Sequence, residues 1–491
     1  MRLLRSFDCP GDKAIALGVP AVSTKVYDLL TVEPGNGAPE GVAVHGYLAD
    51  QKVDLCRKYP LPMRLAGAIA RLRRKHPLRL LGLEMTADPD SLKVHARVTG
   101  FLAPLFRRQA DWLASRFNQL GRPITTYDGG FVYTLYQPPV PSTRMINHVS
   151  RVLIEGREPV RPTTCTLQVT ARCQLDCYHC SAARFKSADR EELTTEEWRD
   201  VVRQAEDLGV NNIVLTGGEP LLRKDIFDLV RAVNPDRANA AMFTNGLLLT
   251  DEKVARLREA GLFSVMVSLD DVRPERHDEL RRAPGGYRKA IEGLKHALAG
   301  GLLVGISTYA TPDDVREGRA EQMVELAREI GVHEITIFDT VPTGKLLPLE
   351  QRLLLSEEDK RQLVEIERKY NAMEGYPHVI TQAFINGPDG AGCFAGYIQF
   401  YMTAYGDVNP CDFTPLTFGN IRDEPLVAIW ERLRAHPAYC QRSDHCRMQD
   451  PEFRRRYIDG IPRDVPLPWP ATEELLDHAN CPRTCGARQP I

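Results

Sequence analysis

The stretch Thr166-Leu-Gln-Val-Thr-Ala-Arg-Cys-Gln-Leu-Asp-Cys-Tyr-His-Cys180 decides how the rest of the chain reads. Its apolar run, Leu167 to Val169, reads as a buried strand that ends directly in a loop carrying Cys173, Cys177 and Cys180. Thiolates spaced C-x3-C-x2-C suit a compact soft-metal centre. Three of them cannot complete a four-iron cluster, so one iron would stay open for another ligand. Zinc competes, but its fourth ligand would be Cys165, ahead of the strand, or His179, wedged between two ligands. Neither sits at a usual zinc spacing. A plant-type two-iron site needs a first gap one residue longer.

From 163 to about 345 strands and helices alternate. Strands are predicted at 167–170, 213–216, 240–244, 263–269, 302–308 and 334–338. Between the first two, Thr194 and Glu197 make a capping box, and Trp198, Val201, Val202, Ala205 and Leu208 form the buried face of a helix. Further helices are expected at 253–260, 288–299 and 314–330. Six such units predict an α/β fold, a parallel sheet curved into an open, partial (β/α)6 barrel with helices outside. Functional groups then gather at the C-terminal ends of the strands.

Three strand exits carry polar motifs. Thr216-Gly-Gly-Glu-Pro220 offers glycines that let backbone approach a ligand and a carboxylate, Glu219, suited to an ammonium group. Thr244-Asn-Gly246 and Ser268-Leu-Asp270 follow on the next two strands. The first two alone read as ordinary turns, and the third offers a hydroxyl and a carboxylate. Together, on one sheet edge beside the cysteine loop, the three do not read as turns.

The ordered set resembles the radical SAM superfamily over roughly residues 163–345. His179 stands where that family's cluster motif has an aromatic-type residue, and Gly217, Gly218, Glu219, Asn245, Ser268 and Asp270 resemble its methionine- and ribose-binding positions. Asp271 departs from the small residue that often follows Asp270. The resemblance implies a 4Fe–4S cluster on Cys173, Cys177 and Cys180, with S-adenosylmethionine chelating the open iron. It further implies reductive cleavage to a 5′-deoxyadenosyl radical that abstracts a substrate hydrogen, and a reduced flavodoxin- or ferredoxin-type electron donor.

Six more cysteines fall between 393 and 485. Cys393, Gly406 and Cys411 stand as C-x12-G-x4-C, followed by Cys440-x5-Cys446 and Cys481-x3-Cys485. This resembles a SPASM or twitch domain that lacks the usual C-x2-C pair. One auxiliary iron–sulfur cluster is expected, with a second and plain buried thiols left open. Such a loop-rich segment often needs a metal staple.

The expected domains are 1–150, an N-terminal α+β region of unknown role; 160–345, the barrel; 346–389, a connecting segment with a helix at 357–373; and 390–491, the cysteine-rich domain. In the first, a strand is expected at 41–48, a helical stripe through Leu102, Leu105, Phe106, Leu113, Phe117 and Leu120, and a strand at 129–136. The cluster Arg71, Arg73, Arg74, Lys75 and Arg79, near Leu65, Ile69 and Leu72, reads as the solvated face of an amphipathic helix.

Composition narrows the partners. With 63 basic and 65 acidic residues among 491, the chain has no polyanion-binding or membrane signature. No 18-residue apolar run occurs, and the opening residues are too weakly apolar for a signal peptide, so a cytoplasmic protein is expected. Twelve cysteines there argue for metal or redox chemistry rather than disulfides. The expected function is a radical SAM oxidoreductase in peptide or protein maturation. The alternatives are the same chemistry on a tetrapyrrole side chain, sugar or other small molecule, and a non-catalytic iron–sulfur or zinc scaffold.

Overall fold

The computed structural model describes residues 23–34, 42–48, 51–54, 78–99, 103–146, 161–347, 353–462 and 465–471. The chain divides near residue 157 into two compact units.

The first unit holds an antiparallel sheet of β1 (Ser23–Pro34), β2 (Val42–Leu48), β3 (Gln51–Asp54), β4 (Leu78–Asp88) and β5 (Lys93–Thr99), in the order β3-β2-β1-β4-β5. Leu105, Phe106, Leu113 and Phe117 of the predicted apolar stripe fall in the helix Ala103–Asn118, whereas Leu102 lies outside the described residues and Leu120 follows the helix end and is exposed. In this helix Ala110, Leu113 and Phe117 share a core with Leu83, Met85 and Val94. Asn118 fastens the helix end to β5, its side chain bonding both the N–H and the C=O of Val94 at 2.8 and 2.9 Å. The strand expected at 129–136 shortens to β7 (Gly130–Val132), paired with β6 (Thr125–Tyr127). Phe131 also exchanges two backbone bonds with Val140, which folds the chain back. Of the predicted basic helix, residues 65–75 lie outside the described residues, and Arg79 sits in β4.

The second unit is built on a nine-stranded sheet. Six parallel strands run in chain order: β8 (Thr164–Gln168), β9 (Asn212–Thr216), β10 (Asn239–Thr244), β11 (Ser264–Ser268), β12 (Leu303–Ala310) and β13 (Glu334–Asp339). These are the six expected strands. Two more join in parallel, β14 (His378–Thr381) beside β13 and β15 (Gln399–Met402) beside β8; β16 (Val408–Asn409) then pairs with β15 in the antiparallel sense. The cysteine-rich segment therefore begins as part of the barrel's own sheet.

Alternation along each strand sends Ile213 and Leu215, Val265 and Val267, and Ile335 and Ile337 into a single buried core with Trp198, Val201, Leu294 and Val324 of the helices. Each such side chain stabilises by about 1.5–3 kcal/mol. The helix Thr195–Leu208 starts with the expected capping box and ends at Gly209, whose φ of 117° needs glycine. The helix expected at 314–330 is two, Pro312–Arg316 and Arg319–Ile330, because Gly318 at φ 74° breaks it.

Candidate functional site

β8 delivers the chain into the cysteine loop, and the neighbouring strand exits clamp it. Gly218 N–H donates to Thr170 O at 2.7 Å, and Glu219 N–H to Arg172 O at 2.8 Å. A Cβ on Gly218 would lie 2.3 Å from Arg172 O and 2.8 Å from the Cys173 Cβ. Glycine is needed here by the close approach of two protein segments, where sequence reading credited approach to a ligand. On the other side, Tyr178 N–H donates to Leu280 O at 2.8 Å, and the Lys345 ammonium donates to Cys177 O at 2.9 Å.

Cys173, Cys177 and Cys180 are half-buried thiols without disulfide partners. Burial raises the Cys173 thiol, and it pushes Cys177 up to about 11 although Arg281 opposes it. The Cys180 charge adds to both shifts, and the Cys173 charge adds to that of Cys177. Three such thiolates need a strong cationic centre to coexist, which is what iron supplies. Among the described residues no three His, Cys, Asp or Glu side chains converge on a point suited to one metal ion.

Glu219 is fully buried and ties two strand ends together. One oxygen accepts from Leu221 N–H (3.1 Å) and the Thr244 hydroxyl (2.7 Å); the other accepts from Asn245 N–H (2.8 Å). Burial raises its pKa against these bonds, so a ligand ammonium would favour its charged form. Asn245 reaches the cysteine loop, its Oδ1 accepting from Gln174 Nε2 at 3.3 Å, while its Nδ2 is buried without a partner. Ser268 closes β11 in register with Ser307 of β12.

Asp270 has commitments that sequence reading did not foresee. Its side chain is 1% exposed and is held by Arg281, Nε to Oδ2 at 2.7 Å and Nη2 to Oδ1 at 2.9 Å. Burial would raise its pKa, but the Arg281 charge outweighs that and holds the carboxyl at about 2. His179 Nε2 lies 3.4 Å from Asp270 Oδ2, and its ring lies tilted at 43° against that of Tyr309 with the centroids 4.4 Å apart. Burial pushes His179 down to about 4, so the imidazole is neutral at physiological pH. His277 accepts the Asp270 N–H at 3.2 Å. Arg281, His277 and Tyr309 lie on a helix and a strand with no motif of their own, and only the fold brings them in.

In the C-terminal segment Cys393, Cys411 and Cys446 are buried together. Burial pushes Cys411 up to about 12 and raises Cys446 strongly, and the nearby Cys393 charge adds to both. Gly406, at φ 91°, makes the turn before Cys411, and Cys393 N–H donates to Ser443 O at 2.7 Å. The Cys440 thiol lies 3.5 Å from Pro437 O. Cys481 and Cys485 lie outside the described residues. Asp407 anchors this segment to the cysteine-loop side of the barrel, accepting from both Arg190 Nη atoms at 2.7 and 2.8 Å.

Comparison with known proteins agrees with this geometry. Residues 167–327 match the model of the Radical SAM superfamily, and residues 393–452 that of an iron-sulfur cluster-binding domain. The AdoMet-dependent heme synthase of Methanosarcina barkeri (strain Fusaro / DSM 804) is 30% identical over 55% of this chain and 82% of its own length.

The chain belongs to the radical SAM superfamily.

Further relatives of this radical SAM protein include the PqqA peptide cyclase of Rhizobium meliloti (strain 1021), 30% identical over 57% of this chain and 76% of that one. The sporulation killing factor maturation protein SkfB of Bacillus subtilis (strain 168) is 28% identical over 57% and 67%. The protein is therefore an enzyme that uses S-adenosylmethionine and 4Fe–4S clusters. Among the described residues no helix is long and apolar enough to cross a membrane.

Proposed function

We propose that this enzyme modifies a ribosomally made peptide or a protein side chain, with its S-adenosylmethionine-binding cluster on Cys173, Cys177 and Cys180. The observation that carries the substrate class is the similarity to the PqqA peptide cyclase and to SkfB, each over at least two thirds of that protein. When bound, cluster and cosubstrate together supply a radical that takes a hydrogen atom from the substrate.

The chain's own residues position and protect that chemistry. Glu219 receives the ammonium of the methionine moiety, with Gly217 and Gly218 holding the strand exit tight against the loop. Asn245 and Ser268 face the ribose. Asp270 acts through His179: gripped by Arg281, it fixes the imidazole beside the nucleoside. Cys393, Cys411 and Cys446 provide three ligands of an auxiliary cluster, Cys481 and Cys485 are candidates for its fourth ligand, and Cys440 is a candidate ligand of a second cluster. A reduced flavodoxin- or ferredoxin-type protein delivers the electron.

The test is incubation of the reduced holoenzyme and S-adenosylmethionine with short peptides encoded beside its gene, read by mass spectrometry. A mass shift in one peptide, absent in Cys177→Ala, supports the reading. The similarity to a heme synthase favours a second reading, a tetrapyrrole side chain. Turnover of such a compound, with every peptide unchanged, would replace the first.

A further inference from the structure

The inner face of the barrel sheet changes character where it opens at the strand exits. On β12, Ile306 and Ala310 belong to the buried core shared with the helices, so alternation sends Tyr309 to the opposite, inner face. On β13, Ile335 and Ile337 place Phe338 on that face in the same way. Tyr309 and Phe338 are register partners and so stand side by side. Deeper on the inner face Gly305 and Thr336 are buried, whereas Tyr309 and Phe338 are only half-buried. Accessible ring surface therefore collects at the mouth.

Two further half-buried rings extend this pair, one at each end. The His179 ring lies against Tyr309 with the centroids 4.4 Å apart, and Phe413 meets Phe338 edge to face at 6.2 Å. The Thr343 hydroxyl donates to Phe413 O at 2.9 Å, which ties Phe413 to the chain just beyond β13. His179 stands between Cys177 and Cys180, and Phe413 follows Cys411 by two residues. The row of rings thus runs from the cysteine loop to the buried cysteines of the C-terminal segment.

This row offers ring faces and one hydroxyl, and the charges around it already have partners. Those acting on Tyr309 are Asp270, Asp314, Arg281 and Arg276, and each sits in an ion pair. Asp412, beside Phe413, accepts from Gln399 Nε2 at 3.4 Å. Burial raises the Tyr309 phenol, so it stays neutral, and its oxygen has no hydrogen bond among the described residues. A surface of this makeup binds apolar groups and orients them through few polar contacts.

We infer that Tyr309, Phe338 and Phe413 form the wall that receives the residue to be modified, and that this residue carries an aromatic or branched apolar side chain. The inference rests on the peptide reading above and names the residue class which that reading leaves open. Rings presented edge and face accept a further aromatic ring or a branched aliphatic group. A charged side chain would lose its hydration against them without gaining a partner.

The test uses the reconstituted holoenzyme and the peptides encoded beside its gene, with tandem mass spectrometry to locate the altered residue. That residue should be phenylalanine, tyrosine, tryptophan, leucine, isoleucine or valine. Phe338→Ala should raise KM for the altered peptide about tenfold, with kcat changed less than KM. Phe338→Leu, which keeps apolar surface, should restore most of the loss. Phe413→Ala should act in the same direction, and it carries the test if Phe338→Ala does not fold. Val427→Ala, on the exposed face of the helix Leu426–Ala435, should match the wild type. An alteration at any other residue type, or a wild-type KM in the alanine variants at 338 and 413, would overturn the wall and leave the peptide reading standing. Release of 5′-deoxyadenosine and methionine with every peptide unaltered would remove the peptide reading, and this inference with it.

Discussion

Arg281 grips Asp270 through two hydrogen bonds of 2.7 and 2.9 Å in a pocket where the Asp270 side chain is 1% exposed. Removing one partner strands a buried charge. Arg281→Met should therefore destabilise the protein by about 3–5 kcal/mol, measured by chemical denaturation.

The same pair sets a pH window. Asp270 is held at about 2 in the folded protein, below its ordinary 3.8, so it stabilises fully above pH 4. That contribution is lost as pH falls from about 4 to 2. Across this interval the wild type should lose more stability than Asp270→Asn, which has no carboxylate to protonate. Parallel slopes of stability against pH would refute the assignment.

Gly218→Ala places a methyl group 2.3 Å from Arg172 O and 2.8 Å from the Cys173 Cβ. The backbone carbonyl cannot yield without moving the cysteine loop. Iron bound after reconstitution should drop by about four atoms per chain, one cluster's complement, while far-ultraviolet circular dichroism stays native. Full iron content in the variant would show that the loop tolerates the shift.

Glu219→Gln exchanges one acceptor oxygen for an amide that must face an N–H or a hydroxyl donor. One buried donor is left unsatisfied, which costs about 1–3 kcal/mol. The variant should also bind S-adenosylmethionine at least tenfold more weakly, since it offers no charge to the ammonium group. Calorimetric titration of the reconstituted variant checks this, and unchanged affinity would remove Glu219 from the binding site.

The three cysteines buried together separate from Cys440 in a metal assay. Cys446→Ser should lose the auxiliary iron, about four atoms per chain, and keep dithionite-driven cleavage. Cys440→Ser should keep iron at the Cys393, Cys411 and Cys446 site. Iron analysis with electron paramagnetic resonance reads both, and loss of the same signal in both variants would place Cys440 in that cluster.

How much of this was legible in the sequence follows from contact range. The cysteine loop, the strand exits and the capping box at Thr194 are local runs, and each was read near its true position. β14 and β15 escaped because four residues carry no period that separates a strand from a loop. The long strands β1 and β4 lie in a region read mainly for its charges and helical stripe. Lys345 meets the carbonyl of Cys177 across 168 residues, and Arg281 reaches Asp270 only because its helix turns back over the strand end. Such partners have no spacing signature. Asp270 shows the consequence: its motif was visible, but its pairing with Arg281 was not.

The most direct measurement uses the anaerobically reconstituted enzyme, reduced with dithionite and supplied with S-adenosylmethionine. Chromatography with mass detection should find 5′-deoxyadenosine and methionine released together by the wild type, and neither from Cys177→Ala. A wild type with full iron content that releases neither product would contradict the assignment of Cys173, Cys177 and Cys180 to the catalytic cluster.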